Sequence, residues 1–78
     1  MSVGDYITVD PEICHGKPCF KGTRIMAATV LELLEASHSV EQILEAYPAL
    51  TRQHIRAALH LAAELLENQE VHELHSLA

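Results

Sequence analysis

The sequence predicts a mainly α-helical domain, in which a short N-terminal β arm precedes a three-helix core containing a helix-turn-helix. Apolar residues recur at helical spacing from Met26 onward. The residues before Met26 hold short β-branched stretches separated by glycine and proline. A chain of 78 residues has room for one domain. We divide it into a β arm (residues 6–24), a helical core (residues 26–68) and a tail (residues 69–78).

The composition is typical of a folded cytoplasmic protein. Hydrophobic residues make up 49% of the chain, too many for a disordered protein. Aromatic residues are scarce, so the core has to be aliphatic, and so thin a core predicts a homodimer. No apolar run approaches the roughly 18 residues of a membrane-spanning helix, and the first residues lack a secretory pattern. We therefore expect no membrane contact and two reduced cysteines.

The charge is unevenly distributed along the chain. A net charge of −6 argues against strong non-specific binding to nucleic acid. The five cations nevertheless lie in two short stretches, and they are Lys17, Lys21, Arg24, Arg52 and Arg56. From Glu64 onward the chain carries glutamates and neither lysine nor arginine. The sequence therefore predicts a locally basic part and an acidic end.

Two short strands are predicted in the arm. Residues 7–9 are β-branched and alternate in polarity, and Asp10 and Pro11 end the strand. Residues 14–24 hold two glycines and one proline, which predicts turns around one further strand near Cys19 and Phe20. Because strands this short are marginal alone, we expect them to pack on helices or on another chain.

Three helices are predicted after the arm. The first runs from Met26 to residue 36 or 37. The second begins after Ser39, where Gln42 completes a capping box, and it stops before Pro48. The third begins after Thr51, a favoured N-cap residue, and reaches about Asn68. Flanking that cap, residues 50 and 55 (Leu and Ile) have the spacing of a hydrophobic staple.

The second and third helices, joined by a tight turn over residues 47–50, have the arrangement of a helix-turn-helix. The polar face of the third helix carries Arg52, Gln53, Arg56 and His60. In a recognition helix the first turns enter the major groove, where arginine pairs with guanine and glutamine with adenine. Equally, the two arginines would pair with Glu41 and Glu45 on a solvated surface. The spacing leaves both interpretations open.

The arm has its own candidate binding residues. Lys17, Lys21 and Arg24 are suited to phosphate contacts, because a glycine-rich basic loop also offers free backbone N–H groups. The alternative is an ordinary surface turn. Three cations within eight residues favour the functional interpretation.

Metal binding and catalysis find little support in the sequence. Cys14, His15 and Cys19 are potential zinc ligands, but the Cys-x-x-Cys pairs of structural zinc sites are missing. His72 and His75 stand at i, i+3 in the tail, which is a poor scaffold for a metal. A Cys14–His15 nucleophile would lack an orienting group and an oxyanion site. We predict no metal, no cofactor and no enzymatic activity.

Two segments resemble one known family. Residues 7–25 read ITVDPEICHGKPCFKGTRI, and residues 30–59 read VLELLEASHSVEQILEAYPALTRQHIRAAL. The GKP and KGTRI elements of the arm and the later YPALT turn are typical of the bacterial family called domain of unknown function 433. The resemblance covers residues 7 to about 66 and maps the family's arm signature onto Asp10, Pro11, Gly16, Lys17, Pro18, Gly22, Thr23 and Arg24.

This resemblance implies a homeodomain-like helix-turn-helix fold and an antitoxin whose partner is a toxin related to the PIN-domain ribonucleases. Most members of the family carry an aliphatic residue where this chain has Cys19, and Cys14 and His15 stand at variable positions. These differences argue further against a metal or redox site.

The arm signature also has a physical interpretation. Gly16 and Gly22 permit backbone conformations closed to other residues, and the Thr23 side chain is suited to bonding its neighbouring backbone. Arg24 is placed to bind a carboxylate or a phosphate. Of these two we favour an internal pair with Asp10, which makes the signature structural.

Together these observations predict a dimeric transcriptional regulator, the antitoxin of a type II toxin–antitoxin pair. Its third helix binds operator DNA, and its acidic C-terminal part neutralises a PIN-like toxin. The alternative is a protein–protein adaptor that dimerises and binds a partner protein without binding DNA. The net charge favours the adaptor, whereas the helix pattern and the position of the arginines favour the regulator.

Overall fold

The computed structural model describes residues 3–68, which form a mainly helical domain with a small β arm. The arm holds two strands, β1 (Ile7–Thr8) and β2 (Cys19–Phe20), a short 3-10 turn at Val3–Asp5 and a left-handed turn at Cys14–Gly16. Three helices follow, α1 (Ala27–Glu35), α2 (Val40–Ala46) and α3 (Arg52–Glu67). The arm strands and the three helices are therefore those that the sequence predicts, with boundaries that differ by one or two residues.

The arm is an antiparallel hairpin in which Ile7 pairs with Phe20 and Thr8 with Cys19. Its first strand is shorter than predicted, because Val9 leaves the ladder and is exposed. A third segment joins on the other side, where Cys19 bridges to Met26 just before α1. The Phe20 N–H also donates to the Ile25 carbonyl at 2.9 Å. The arm is therefore fastened directly to the start of the first helix.

Helix α1 ends in a left-handed residue. Ser37 has φ +71°, and its N–H donates to the Leu34 carbonyl at 3.0 Å. The next N–H, from His38, donates to the Leu33 carbonyl at 3.0 Å. These two bonds form a Schellman motif, in which glycine is the usual left-handed residue. The chain then enters α2 after one further residue.

Helix α2 begins with the capping box that the sequence predicts. The Ser39 hydroxyl accepts the Gln42 N–H at 3.1 Å, and the Gln42 side chain accepts the Ser39 N–H at 2.8 Å. Helix α2 ends at Ala46, because Tyr47 precedes Pro48 and leaves the helical conformation. The predicted boundaries of this helix are thus correct at both ends.

The core is aliphatic around one aromatic side chain. Phe20 from the arm is fully buried and belongs to one hydrophobic cluster with residues of all three helices. The largest fully buried side chains are Phe20, Ile43, Ile55, Val30 and Cys19. Leu50 and Ile55, the predicted staple across the start of α3, both belong to this core. The arm is therefore an integral part of the core rather than a separate appendage.

Within residues 3–68, none of the helices combines the length and the apolar character that crossing a membrane requires.

Candidate nucleic-acid interface

One face of α3 presents polar side chains to solvent along its first three turns. Its exposed residues are Arg52, Gln53, Arg56 and His60. The opposite face of the same turns is buried and holds Ile55 and Ala58. Residues three or four apart share a face of a helix. Because the face with Ile55 and Ala58 is packed in the core, the opposite, polar face has to point to solvent. All four side chains that the sequence singled out on α3 therefore share one exposed surface.

Arg52 is engaged by the preceding helix. Its guanidinium donates to a carboxylate oxygen of Glu41 at 2.7 Å. The two side chains are 61% and 68% exposed, so water and salt weaken the pair. The hydrogen bond from Arg52 is the largest cause that lowers the pKa of Glu41 below its ordinary value. Of the two ion pairs expected if Arg52 and Arg56 simply pair with Glu41 and Glu45 on the surface, the one between Arg52 and Glu41 is thus present.

The second of those pairs is not formed. No salt bridge joins Arg56 to Glu45 or to any other residue within the part of the chain that the structure describes. Farther along α3, His60 Nε2 lies 2.7 Å from the carboxylate of Glu64, one turn away. Arg56 is consequently the arginine of this face that is available to an external ligand.

Lys17 of the arm does not lie on the same side of the molecule as the polar face of α3. Lys17 lies beside an apolar groove between α1 and α3, together with Ala58, Leu61 and Leu65 of α3. At 3.6 residues per turn, those three positions face away from Arg56. Lys17 and the polar face of α3 therefore belong to different sides of the molecule.

The remaining arm cations, Lys21 and Arg24, are both exposed. The predicted internal pair between Arg24 and Asp10 is wrong for the described residues, among which Arg24 makes no salt bridge. The reason is local, because the Asp10 carboxylate accepts the N–H of Glu12 at 2.9 Å and so closes its own turn. The Arg24 side chain is therefore free to meet solvent or an anion.

The other signature residues of the arm fix its backbone. Gly16 and Gly22 have φ of +78° and +80°, the left-handed conformation expected of them. The Thr23 hydroxyl donates to the Phe20 carbonyl at 2.8 Å and accepts the Ile25 N–H at 3.0 Å. Gly22 and Thr23 thus build the turn that connects β2 with α1, whereas Gly16 belongs to the turn that precedes β2.

The two cysteines lie together beneath this turn. The Sγ atoms of Cys14 and Cys19 are 2.8 Å apart, and the Cys19 thiol donates to the Thr23 carbonyl at 3.1 Å. Burial raises the pKa of Cys19, and its hydrogen bond with Cys14 raises it further. Across residues 3–68, no group of three metal-binding side chains is assembled. His72 and His75 lie outside the described residues.

Sequence reasoning missed the role of His54. Its Nδ1 accepts the Thr51 N–H at 3.0 Å and lies 2.9 Å from the Thr51 hydroxyl, so the histidine caps the start of α3. The ring also packs edge-on against Tyr6 and Phe20, with centroids 5.2 and 5.6 Å away. His54 therefore joins the start of α3 to the arm. The Thr-x-x-His spacing was a visible signal for the cap, whereas the aromatic contacts required the fold.

The apolar groove is the second surface feature. It encloses about 330 Å³ and is lined mainly by aliphatic side chains, among them Met26, Leu31, Leu61 and Leu65. Leu65 and Leu66 are 52% and 63% exposed at the end of α3. Such a patch of apolar surface marks a site of protein contact more often than isolated leucines do.

The fold and its surfaces define a small three-helix domain with a fastened β arm. Residues 7–62 match the family described as protein of unknown function (DUF433), and the chain belongs to that family.

Two relatives place the chain among known proteins. Uncharacterized protein y4eO of Sinorhizobium fredii (strain NBRC 101917 / NGR234) is 41% identical over 54 residues, which are 69% of this chain and 24% of that protein. This chain therefore spans about a quarter of the length of the curated relative it matches. The crystal structure of a DUF433 member from Anabaena variabilis ATCC 29413 has a TM-score of 0.73 and 28% identity, covering 78% of this chain and 60% of that one.

Proposed function

We propose that this protein is a dimeric DNA-binding regulator of the antitoxin type, in which α2 and α3 act as a helix-turn-helix. The observation that carries this proposal is the exposed polar face on the first turns of α3. Recognition helices place base-contacting side chains in these turns. Arg56 and Gln53 are exposed there, and their side chains suit guanine and adenine.

The charges along α3 support this proposal, because they do not serve the stability of the helix. A helix gains stability from acidic residues in its first turn and basic residues in its last turn. Helix α3 has neither of these, and instead Arg52 opens it and Glu67 closes it. The arginines add to the positive end of the helix dipole and form a surface suited to phosphate.

The ion pair between Arg52 and Glu41 is compatible with this role. Both side chains are more than half exposed, and exposed pairs are worth little. A DNA phosphate brings charge and hydrogen-bond acceptors of the same kind as the Glu41 carboxylate. Glu41 therefore acts as an internal competitor that DNA has to displace, which keeps binding modest.

The apolar groove supports the dimeric part of this proposal. Helix-turn-helix proteins of this size commonly bind as two-fold dimers, since one recognition helix contacts few bases. The groove faces away from Arg56, so a second copy seated there leaves the polar face accessible. We propose that the groove and the exposed Leu65 form the dimer interface.

The antitoxin role is supported by the family resemblance. In this proposal the acidic end of α3, with Glu64 and Glu67, belongs to the surface that binds a PIN-like toxin. The tail from residue 69 onward, also assigned to that surface, lies outside the described residues. Copurification of the full chain with the product of the neighbouring gene tests this part.

A second candidate function is a protein–protein adaptor that does not bind DNA. Two observations favour it, namely the occupation of Arg52 by Glu41 and the net charge of −6. In this case the groove and the exposed leucines are the whole of the functional surface.

Selection from a pool of random DNA duplexes at low salt separates the two functions. A regulator enriches two-fold symmetric sites, with half-sites about 10 base pairs apart or at multiples of that spacing. The adaptor enriches no sequence, although it still dimerises and captures its partner protein. Repeating the selection at higher salt should reduce recovery, because phosphate contacts release counterions.

A further inference from the structure

The two cysteines of this chain are brought together by an unusual turn. Cys14, His15 and Gly16 have φ of +53°, +56° and +78°, so three consecutive residues adopt the left-handed conformation. This conformation is unfavourable for residues that carry a side chain, and such strain concentrates at functional sites. The turn reverses the chain and lays Cys14 against β2.

The two sulfur atoms lie close enough for a disulfide bond to form after a small movement. Their separation of 2.8 Å exceeds the length of a disulfide bond, about 2.05 Å, by less than an ångström. Metal-bridged thiolates stand farther apart than this, because each sulfur lies about 2.3 Å from a zinc ion. The geometry therefore suits a direct sulfur–sulfur bond better than a metal site.

The sequence alone argues against a redox site here, but it does not show that the two sulfurs meet. From that contact we propose that Cys14 and Cys19 form a reversible disulfide when the protein meets a peroxide, which makes the arm a thiol-oxidation site. The chain holds only these two cysteines, so no other pair within one molecule competes. Nothing in this proposal depends on DNA binding.

The two thiols have different roles in this reaction. Cys14 is partly exposed, whereas Cys19 is only 1% exposed. Cys14 therefore meets the oxidant, and Cys19 is the resolving thiol. Burial, which raises the pKa of Cys19, keeps that residue protonated until Cys14 has reacted.

The reaction balances with peroxide as the only co-reactant. The Cys14 thiolate attacks one peroxide oxygen, so that the O–O bond breaks and a sulfenic acid forms. The departing hydroxide takes up a proton and becomes water. The Cys19 sulfur then attacks the Cys14 sulfur, the S–O bond breaks, and a second water leaves with the Cys19 proton. Two electrons pass from the two sulfurs to the peroxide.

Oxidation of the two cysteines constrains two residues that line the apolar groove. The disulfide closes a ring over residues 14–19, and that ring contains Lys17 and Pro18, which line the groove. In the reducing cytosol that we expect for this protein, both thiols are normally free, and cytosolic disulfides are typically transient or redox-sensing.

The test treats the full chain with hydrogen peroxide and measures its intact mass, its reactive thiols and its migration without reductant. We expect a single chain lighter by two hydrogen atoms, with both thiols lost together and both restored by dithiothreitol. A Cys14→Ser variant should not lose two hydrogens within one chain. Addition of oxygen to Cys14 while Cys19 stays reduced, or formation of interchain disulfides alone, would overturn the proposal.

A second measurement on the wild-type chain needs no variant to fold. In glutathione buffers, the disulfide should be at least about tenfold more favoured in the folded protein than in urea, because the fold already juxtaposes the thiols. Equal or weaker formation in the folded protein would show that the turn does not favour the bond, and this too would overturn the proposal.

Discussion

The guanidinium of Arg52 lies 2.7 Å from the carboxylate of Glu41, and this pair links the first residue of α3 to α2. The link crosses the two helices that we propose to form the helix-turn-helix. Glu41 is therefore paired with Arg52, one of the two arginines that we propose to bind DNA. Arg56, one turn along the same face, has no ion pair among the described residues. The two arginines are thus predicted to contribute differently to binding.

Replacing Glu41→Gln should strengthen DNA binding by freeing Arg52. We expect affinity to rise by about two- to fivefold, because an exposed ion pair is weak and its loss removes only a small competitor. Fluorescence anisotropy with a selected DNA site measures the change. Glu45→Gln is the matched control, since it removes the same charge from the same helix without releasing Arg52. Equal gains from both variants would mean that only the net charge matters.

The same pair predicts a change in the titration of Glu41. Arg52 holds the pKa of Glu41 below its ordinary value of 4.5, so Arg52→Ala should move it back toward that value. The pair stabilises the fold at pH above the unfolded pKa, and this stabilisation is lost as the pH falls through the lowered folded value. NMR titration of the Glu41 carboxyl carbon measures the shift. Arg56→Ala should leave it unchanged, and an unchanged Glu41 titration in Arg52→Ala would contradict the ion pair.

Replacing Ser37→Gly should stabilise the protein. Ser37 has φ +71° in the Schellman motif after α1, where glycine avoids the steric cost of a side chain. We expect a gain of about 0.5–1 kcal/mol in the free energy of unfolding. Chemical denaturation measures this gain. Ser39→Gly, the same change at a residue with φ −78°, should bring no gain. A Ser37→Gly protein less stable than wild type would rule out this helix end.

Replacing Leu65→Asp should abolish the proposed dimer. A charge in the apolar groove cannot be buried without a partner, so the second copy is excluded. Sedimentation equilibrium at micromolar concentration should give about twice the chain mass for wild type and the single-chain mass for Leu65→Asp. Leu59→Asp is the control, because Leu59 is similarly exposed on α3 but does not line the groove. A wild-type monomer, or a dimer that survives in Leu65→Asp, would contradict the proposed interface.

The sequence determined the helix boundaries because their signals are local. The capping box at Ser39 depends on a residue three positions away and forms as expected, and Thr51 is the N-cap residue of α3 as expected, although its pairing with His54 was not predicted. Proline at position 48 ends α2 for an equally local reason. Patterns of this length do not depend on how the helices pack.

The contacts between distant residues were not predictable in this way. Whether Arg52 or Arg56 finds a glutamate depends on the angle between α2 and α3, and within residues 3–68 only Arg52 does. The separation of Lys17 from the polar face of α3 depends on where the arm packs. The meeting of Cys14 with Cys19 depends on a left-handed turn at residues with no strong preference for it. These features follow from tertiary structure rather than from spacing.

The most direct test of the proposed function compares Arg56→Ala with Lys17→Ala in quantitative binding to a panel of single-base variants of the selected DNA site. The two changes remove the same charge, but only Arg56 lies on the polar face of α3. We predict that Arg56→Ala costs about 1–3 kcal/mol per half-site and relaxes the preference at one base position. Lys17→Ala should retain the full base preference, because Lys17 lies on another side of the molecule, and its affinity should change only by the small, sequence-independent effect of removing one charge. If Arg56→Ala binds with the affinity and base preference of the wild type, or if the wild type binds no DNA at low salt, α3 is not a recognition helix.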